Sequence, residues 1–225
     1  MRNLAVPTPS MIRSGARPAA ERVGARRSRK RRRVGSALAL GLLLWLGGCG
    51  TGVDMTPVEP FDARQYAGTW HEVASIPHFF QRNCVRDTRA TYTLDADHPT
   101  WIDIDNVCTH DDGRKEHALG RARPAGGPPA SRLEVTFLRL FDEYRFWFAF
   151  DYWVIALDPA YRWAVVGHPS HRYGWVLARE PRVAPEVLAE IIGRIKAQGY
   201  DACQFVVTPQ TGGLSVRRPL CEALP

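Results

Sequence analysis

The sequence predicts an all-β fold: an eight-stranded antiparallel up-and-down β-barrel, with a C-terminal α-helix packed on the outside and a short final strand. Three observations predict it. Short runs rich in β-branched and aromatic residues recur along residues 70–179, alternating with polar residues and separated by turn formers. No helical period interrupts them, so successive strands form an antiparallel meander, which loses its exposed edges by closing on itself. One 3.6-residue apolar period does occur, late, over residues 185–195.

In order, the expected strands are 70–75, 88–94, 101–107, 117–123, 133–138, 152–157, 162–166 and 175–179. Asp95-Ala96-Asp97-His98-Pro99 is a turn-rich connection between the second and third, and the Pro/Gly-rich stretch 124–129 closes the fourth. Pro185 suits the first turn of the helix, where its missing N–H costs little. Val187, Leu188, Ile191, Ile192 and Ile195 share one face, and Gly199 supplies the stop. The final strand is expected over 204–208.

Upstream of the barrel, a basic block over 26–33 precedes an uncharged, Leu-rich run over 34–48 that ends in Leu46-Gly47-Gly48-Cys49. This order reads as an export signal. The apolar run falls short of the roughly 20 residues a spanning helix needs. Its ending resembles the lipobox of bacterial lipoproteins, which implies that the Cys49 thiol carries acyl chains such as palmitate and becomes the mature first residue. The expected organisation is therefore a basic extension and signal peptide over 1–48, a lipidated Gly/Pro/Thr-rich tether over 49–62, the barrel with its helix over 63–210, and a tail over 211–225. Positions 1–25 exceed what a signal requires and are consistent with an upstream start codon.

Removing the signal reverses the charge. The full chain has 30 Lys+Arg against 23 Asp+Glu, a net +7. Residues 1–48 hold 11 of the basic residues and one acid, Glu21, leaving 19 against 22, or −3. The basic excess belongs to the signal, so nucleic acid is excluded as a partner. Of the five cysteines, Cys84, Cys108, Cys203 and Cys221 remain once Cys49 is acylated, an even set suited to an oxidising periplasm. No zinc-type spacing, phosphate loop or nucleophile elbow occurs, so no metal, cofactor or catalytic residue is expected, and a binding protein is favoured over an enzyme.

Gly68-Thr69-Trp70, within Tyr66–Ala74, resembles the G-x-W motif of lipocalins entering their first strand. Asp158-Pro159-Ala160-Tyr161 resembles the D-x-x-Y turn, and Trp175-Val176-Leu177-Ala178-Arg179 the third motif with its closing arginine. Together they make residues 63–210 similar to a bacterial, apolipoprotein D-like lipocalin of the outer membrane. The resemblance implies that Trp70 plugs one end of the barrel and that Arg179 packs over its ring, a structural pair contributing about 0.5–2 kcal/mol. It also implies one small apolar ligand in the barrel.

Alternation with Trp70 inward places Glu72 and Ala74 inward too. Ile102, Ile104 and Asn106 share a face, as do Leu133, Val135 and Phe137, and Tyr173, Trp175 and Leu177. Tyr92 joins this set from the second strand, and Phe79 and Phe80 from the first mouth loop. An inward Glu72 in an apolar barrel implies either a raised pKa or an arginine partner. Residues 138–153 are aromatic-rich and longer than the family's usual connection. Their rings either mark an interface with membrane, ligand or protein, or fold inward and close the mouth. His78, His168 and His171 flank rim loops, and their convergence would form a metal or acid–base site. Three cysteine pairings are open. Cys84–Cys108 across one hairpin, with Cys203–Cys221 stapling the tail, stands first, and Cys84–Cys221 is the alternative.

The resemblance implies a monomer or weak dimer, anchored to the outer membrane through acylated Cys49, with its barrel in the periplasm. By the sorting rule of such lipoproteins, Gly50 rather than Asp favours release from the inner membrane. The expected partner is a fatty acid or lysophospholipid. Two alternatives stand beside this: an enzyme on a lipid or isoprenoid substrate using Glu72 and a rim histidine, or a structural envelope lipoprotein whose barrel is filled and plugged around Trp147.

Overall fold

The computed structural model describes residues 54–224. The signal segment, Cys49 and the start of the tether lie outside the described residues. Eight strands form the wall: β1 (Gly68–Ser75), β2 (Arg86–Leu94), β3 (Ile102–Thr109), β4 (Lys115–Pro124), β5 (Arg132–Thr136), β8 (Phe150–Leu157), β9 (Trp163–Gly167) and β10 (Gly174–Ala178). Each pairs antiparallel with the next, and β10 returns to pair with β1, His71 facing Ala178 and Ser75 facing Trp175. The barrel is closed. Between β5 and β8 a small hairpin is inserted, β6 (Arg139–Leu140) with β7 (Glu143–Tyr144).

Each wall strand feeds two hydrophobic cores because successive side chains point to opposite faces. The inner core includes Trp70, Tyr92, Ile104, Leu133, Val135, Val154, Val166 and Leu177. The outer core joins Val165, Val176 and Ala178 to helix α2 (Pro185–Ala197), whose Leu188, Ile191, Ile192 and Ile195 are buried. Pro185 occupies the first turn of α2, and Gly199 just beyond it takes a positive φ of 79°.

The last strand is shorter than expected. Only Val206–Val207 (β11) pairs, beside Ala74 and Ser75 of β1, while Ala202–Gln204 forms a 3-10 turn capped by the Asp201 carboxylate. Strand β2 pairs with β1 only as far as His71 and carries its own irregularity between Arg86 and Arg89, which leaves the later part of that β1 edge to β11. That edge accommodates two residues.

The expected tether over 49–62 is not free beyond residue 54. Met55 is buried, the Thr56 N–H donates to Gln198 Oε1 (2.8 Å), and the Val58 N–H donates to the Val154 carbonyl (2.8 Å). A Cβ on Gly167 would stand 2.7 Å from both Met55 Sδ and the Tyr200 hydroxyl, so glycine is what admits this segment. The tail is also packed. Leu220 is fully buried, and Cys221 bonds to Cys203 with Cα atoms 4.9 Å apart. Cys84 bonds to Cys108 across the β2–β3 hairpin, Cα atoms 5.5 Å apart.

Candidate ligand-binding site

One end of the barrel is sealed by short helix α1 (Ala63–Tyr66) and a network around Trp70. The Trp70 indole N–H donates to the Tyr66 carbonyl (2.8 Å), and the Arg179 guanidinium lies 3.8 Å from the Trp70 ring centroid. Arg179 also donates to the carbonyls of Gln65 (2.7 Å), Thr69 (3.0 Å) and Tyr161 (3.2 Å). Asp158 supports Tyr161 from beneath by accepting from the Ala160 and Arg162 N–H groups and the Arg162 guanidinium. The Arg162 side chain is the main reason its carboxyl is held below the ordinary range.

Just inside that seal sit three tyrosines. The Tyr152 hydroxyl bridges those of Tyr66 (2.7 Å) and Tyr92 (3.0 Å). Burial pushes Tyr92 up to about 12 and Tyr66 and Tyr152 well above 10, so all three remain neutral donors at physiological pH. Tyr152 is half-buried and keeps some accessible surface on the inward face. Asn106 and Trp175 also keep accessible surface on the inward face, paired with Ala90 and Val166 respectively. Ile102, Ile104 and Val135 complete the apolar lining.

Two residues expected in the lumen are elsewhere. Ala74 lies in the outer core because β1 carries a bulge between Glu72 and Ala74, which hands the inward position to Ser75. Phe79 is 76% exposed in the loop after β1. Its neighbour Phe80 stacks on His78 with ring centroids 3.6 Å apart, and His78 in turn faces Trp175 (5.5 Å). Tyr173 stands at the mouth against Phe150 (4.8 Å). Phe137, half exposed, covers Gly120, where a Cβ would stand 2.7 Å from its ring.

Glu72 does face inward and is buried, but no arginine compensates it. Its carboxylate accepts from Thr208 Oγ1 (2.6 Å), Ser75 Oγ (2.9 Å) and Gln81 Nε2 (2.9 Å). The 138–153 segment splits. Phe146 packs on Arg123 (4.0 Å) and Tyr144 on Arg121 (5.3 Å), outside the wall, while Phe150 turns inward. Phe141, Trp147 and Phe148 are exposed, so Trp147 does not plug the mouth. The three rim histidines have separate contacts: His78 with Phe80, His168 with Phe150, and His171 with the Gln198 carbonyl. Among the described residues no cluster of three metal-ligating side chains occurs.

The family model of the lipocalin-like domain matches residues 61–210. Outer membrane lipoprotein Blc of Escherichia coli is 35% identical over 158 residues, covering 70% of this chain and 84% of that protein. This chain belongs to the lipocalin family. Temperature-induced lipocalin-1 of Arabidopsis thaliana is 30% identical over 169 residues, covering 70% of this chain and 84% of the relative. Mouse apolipoprotein D is 28% identical over 155 residues, covering 68% and 78%. Among solved structures, insecticyanin from the tobacco hornworm superposes with a TM-score of 0.55 at 21% identity, covering 74% of this lipocalin and 93% of that chain.

Sequence reasoning missed Tyr66 and Tyr152 as members of the lipocalin's lumen. Tyr66 precedes the first strand and gave no alternation signal. Tyr152 is in phase with Val154 and could have been found by extending that strand inward from its apolar end.

Proposed function

We propose that this lipocalin is an acyl-anchored envelope protein that holds one apolar chain, of a fatty acid or lysophospholipid, in its barrel. One observation carries the reading. The inward face is lined mainly by apolar side chains such as Ile102, Ile104, Val135 and Val166, is sealed at Trp70–Arg179, and keeps accessible surface on Asn106, Tyr152 and Trp175. Family membership supports a small hydrophobic ligand as the class. Burial of its chain is driven by the apolar area removed from water, about 0.8 kcal/mol per CH₂.

The Blc relatives, named as outer membrane lipoproteins, support the same site for this chain, through Cys49. Asp54 is only five positions after Cys49, a reach of at most about 18 Å. Met55 lies against Tyr200, whose hydroxyl donates to the Tyr173 carbonyl at the barrel mouth (2.8 Å). An anchor at Cys49 therefore keeps the mouth near the bilayer, and exposed Phe141, Trp147 and Phe148 are suited to contact it.

Displacement of a fluorescent fatty acid, with native mass spectrometry of the purified protein, tests the reading. Val135→Trp places an indole in the lumen and is expected to weaken displacement by at least about tenfold. Absence of bound lipid together with no displacement by wild type would refute it.

A further inference from the structure

A cleft of 390 Å³ beneath the loop after β1 is lined by Glu72, His78, Gln81, Thr88, Arg82 and Arg217, among others. Its buried part centres on Glu72 and its exposed border carries Arg82 and Arg217. Glu72 is a buried carboxylate whose hydrogen-bond donors are all neutral. Gln81 turns its Nε2 to Glu72, because the reverse orientation would set oxygen against carboxylate, and this leaves Oε1 buried without a partner. Thr88, only 6% exposed, has a buried Oγ1 with no partner. Both ring nitrogens of His78 are likewise buried and unpartnered, and burial lowers its imidazole to about 4, so at neutral pH it offers one acceptor nitrogen.

Buried polar groups are ordinarily satisfied, and four orphan atoms on three residues around one cleft are a concentration that calls for a ligand. A carboxylate and an amide oxygen only accept, while a hydroxyl and a neutral imidazole can accept as well as donate. A buried negative charge calls for a cation, and unmet acceptors call for N–H donors. A primary ammonium supplies one positive charge and three donors. A quaternary ammonium supplies the charge alone.

We propose that this cleft is a primary-ammonium site, with Glu72 as counter-ion and Gln81, Thr88 and His78 as acceptors. Exposed Arg82 and Arg217 border the same cleft, so an amine carried next to a phosphate fits it best. For an acyl lipid this specifies an ethanolamine-type headgroup at the mouth with the chain in the lumen, which rests on the lumen reading above. A free amine would satisfy the same acceptors.

The full-length mature protein is titrated with lysophosphatidylethanolamine and lysophosphatidylcholine of one chain length, with palmitate as a headgroup-free reference and ethanolamine as the free amine. Wild type is expected to bind the ethanolamine lipid about tenfold more tightly than the choline lipid, the value of about one charge-assisted hydrogen bond. Glu72→Gln brings that ratio towards one while palmitate binding persists. Thr88→Val, which removes an unpartnered hydroxyl and conserves shape, lowers the ratio without loss of stability. Competition by ethanolamine alone identifies a free amine as sufficient, and its failure identifies the lipid headgroup; either result supports the site. Equal binding of the two lipids by wild type, or a ratio unmoved by both variants, overturns it. Failure of palmitate to bind would instead count against the lumen reading.

Discussion

Arg179 connects three elements through one side chain. Its guanidinium is planar, so it can cover the Trp70 ring and still donate in its own plane to carbonyls of α1, β1 and the Asp158–Tyr161 turn. Arg179→Leu should lower the unfolding free energy by about 2–4 kcal/mol, since it loses the ring contact and leaves three carbonyls short of a donor. Urea titration measures this, and a loss under 1 kcal/mol would mean that the seal does not depend on the arginine. His78 gives a second residue-scale prediction. Burial lowers its folded pKa to about 4, below the unfolded value of about 6.5. The unfolded loop therefore takes up the proton first. Stability of the 76–85 loop is complete above pH about 6.5, falls as the pH drops towards 4, and levels off below that. Protection factors for hydrogen exchange in that loop, which correct for the intrinsic pH dependence of exchange, should fall across this window, and His78→Phe should remove that fall.

At the scale of elements, strand β1 shows where alternation stops being a guide. Trp70 and Glu72 obey it, then the bulge inserts one residue and Ala74 turns to the outer core while Ser75 turns in. Nothing in Glu72-Val73-Ala74 marks the bulge, because all three side chains are compatible with either face. The bulge lies where β1 is held between β10 on one edge and β11 on the other. Ala74→Leu separates the two pictures. It should overpack the α2 interface and cost about 1–3 kcal/mol, yet leave fatty-acid displacement unchanged. Impaired displacement at preserved stability would return Ala74 to the lumen. The 138–153 segment was legible as unusual but not as divided, since an aromatic reads alike whether it lies on an arginine, as Phe146 does, or in water, as Phe148 does.

For the whole molecule, two cores share one wall, and the Cys203–Cys221 bond belongs to the outer one, where Leu220 and Ala202 are buried against α2 and the wall. Replacing both cysteines with serine should cost about 3 kcal/mol, by the loop-entropy estimate for their separation of 18 residues. Ligand displacement should persist, because the inner core does not contain that bond; a loss of both would show the cores to be one cooperative unit. The composition and spacing of the chain determined the barrel class, the eight strands to within two residues and the helix, because period and turn formers are local signals. The Trp70–Arg179 pair followed from the resemblance of its motif residues to those of lipocalins. Only the tertiary structure decided that residues 55–58 pack on the wall, that Tyr66, Tyr92 and Tyr152 join hydroxyls, and that Glu72 meets Thr208, 136 positions away. Each of these is set by shear and by what lies across the barrel, and a chain read one neighbour at a time carries no record of what lies across from it.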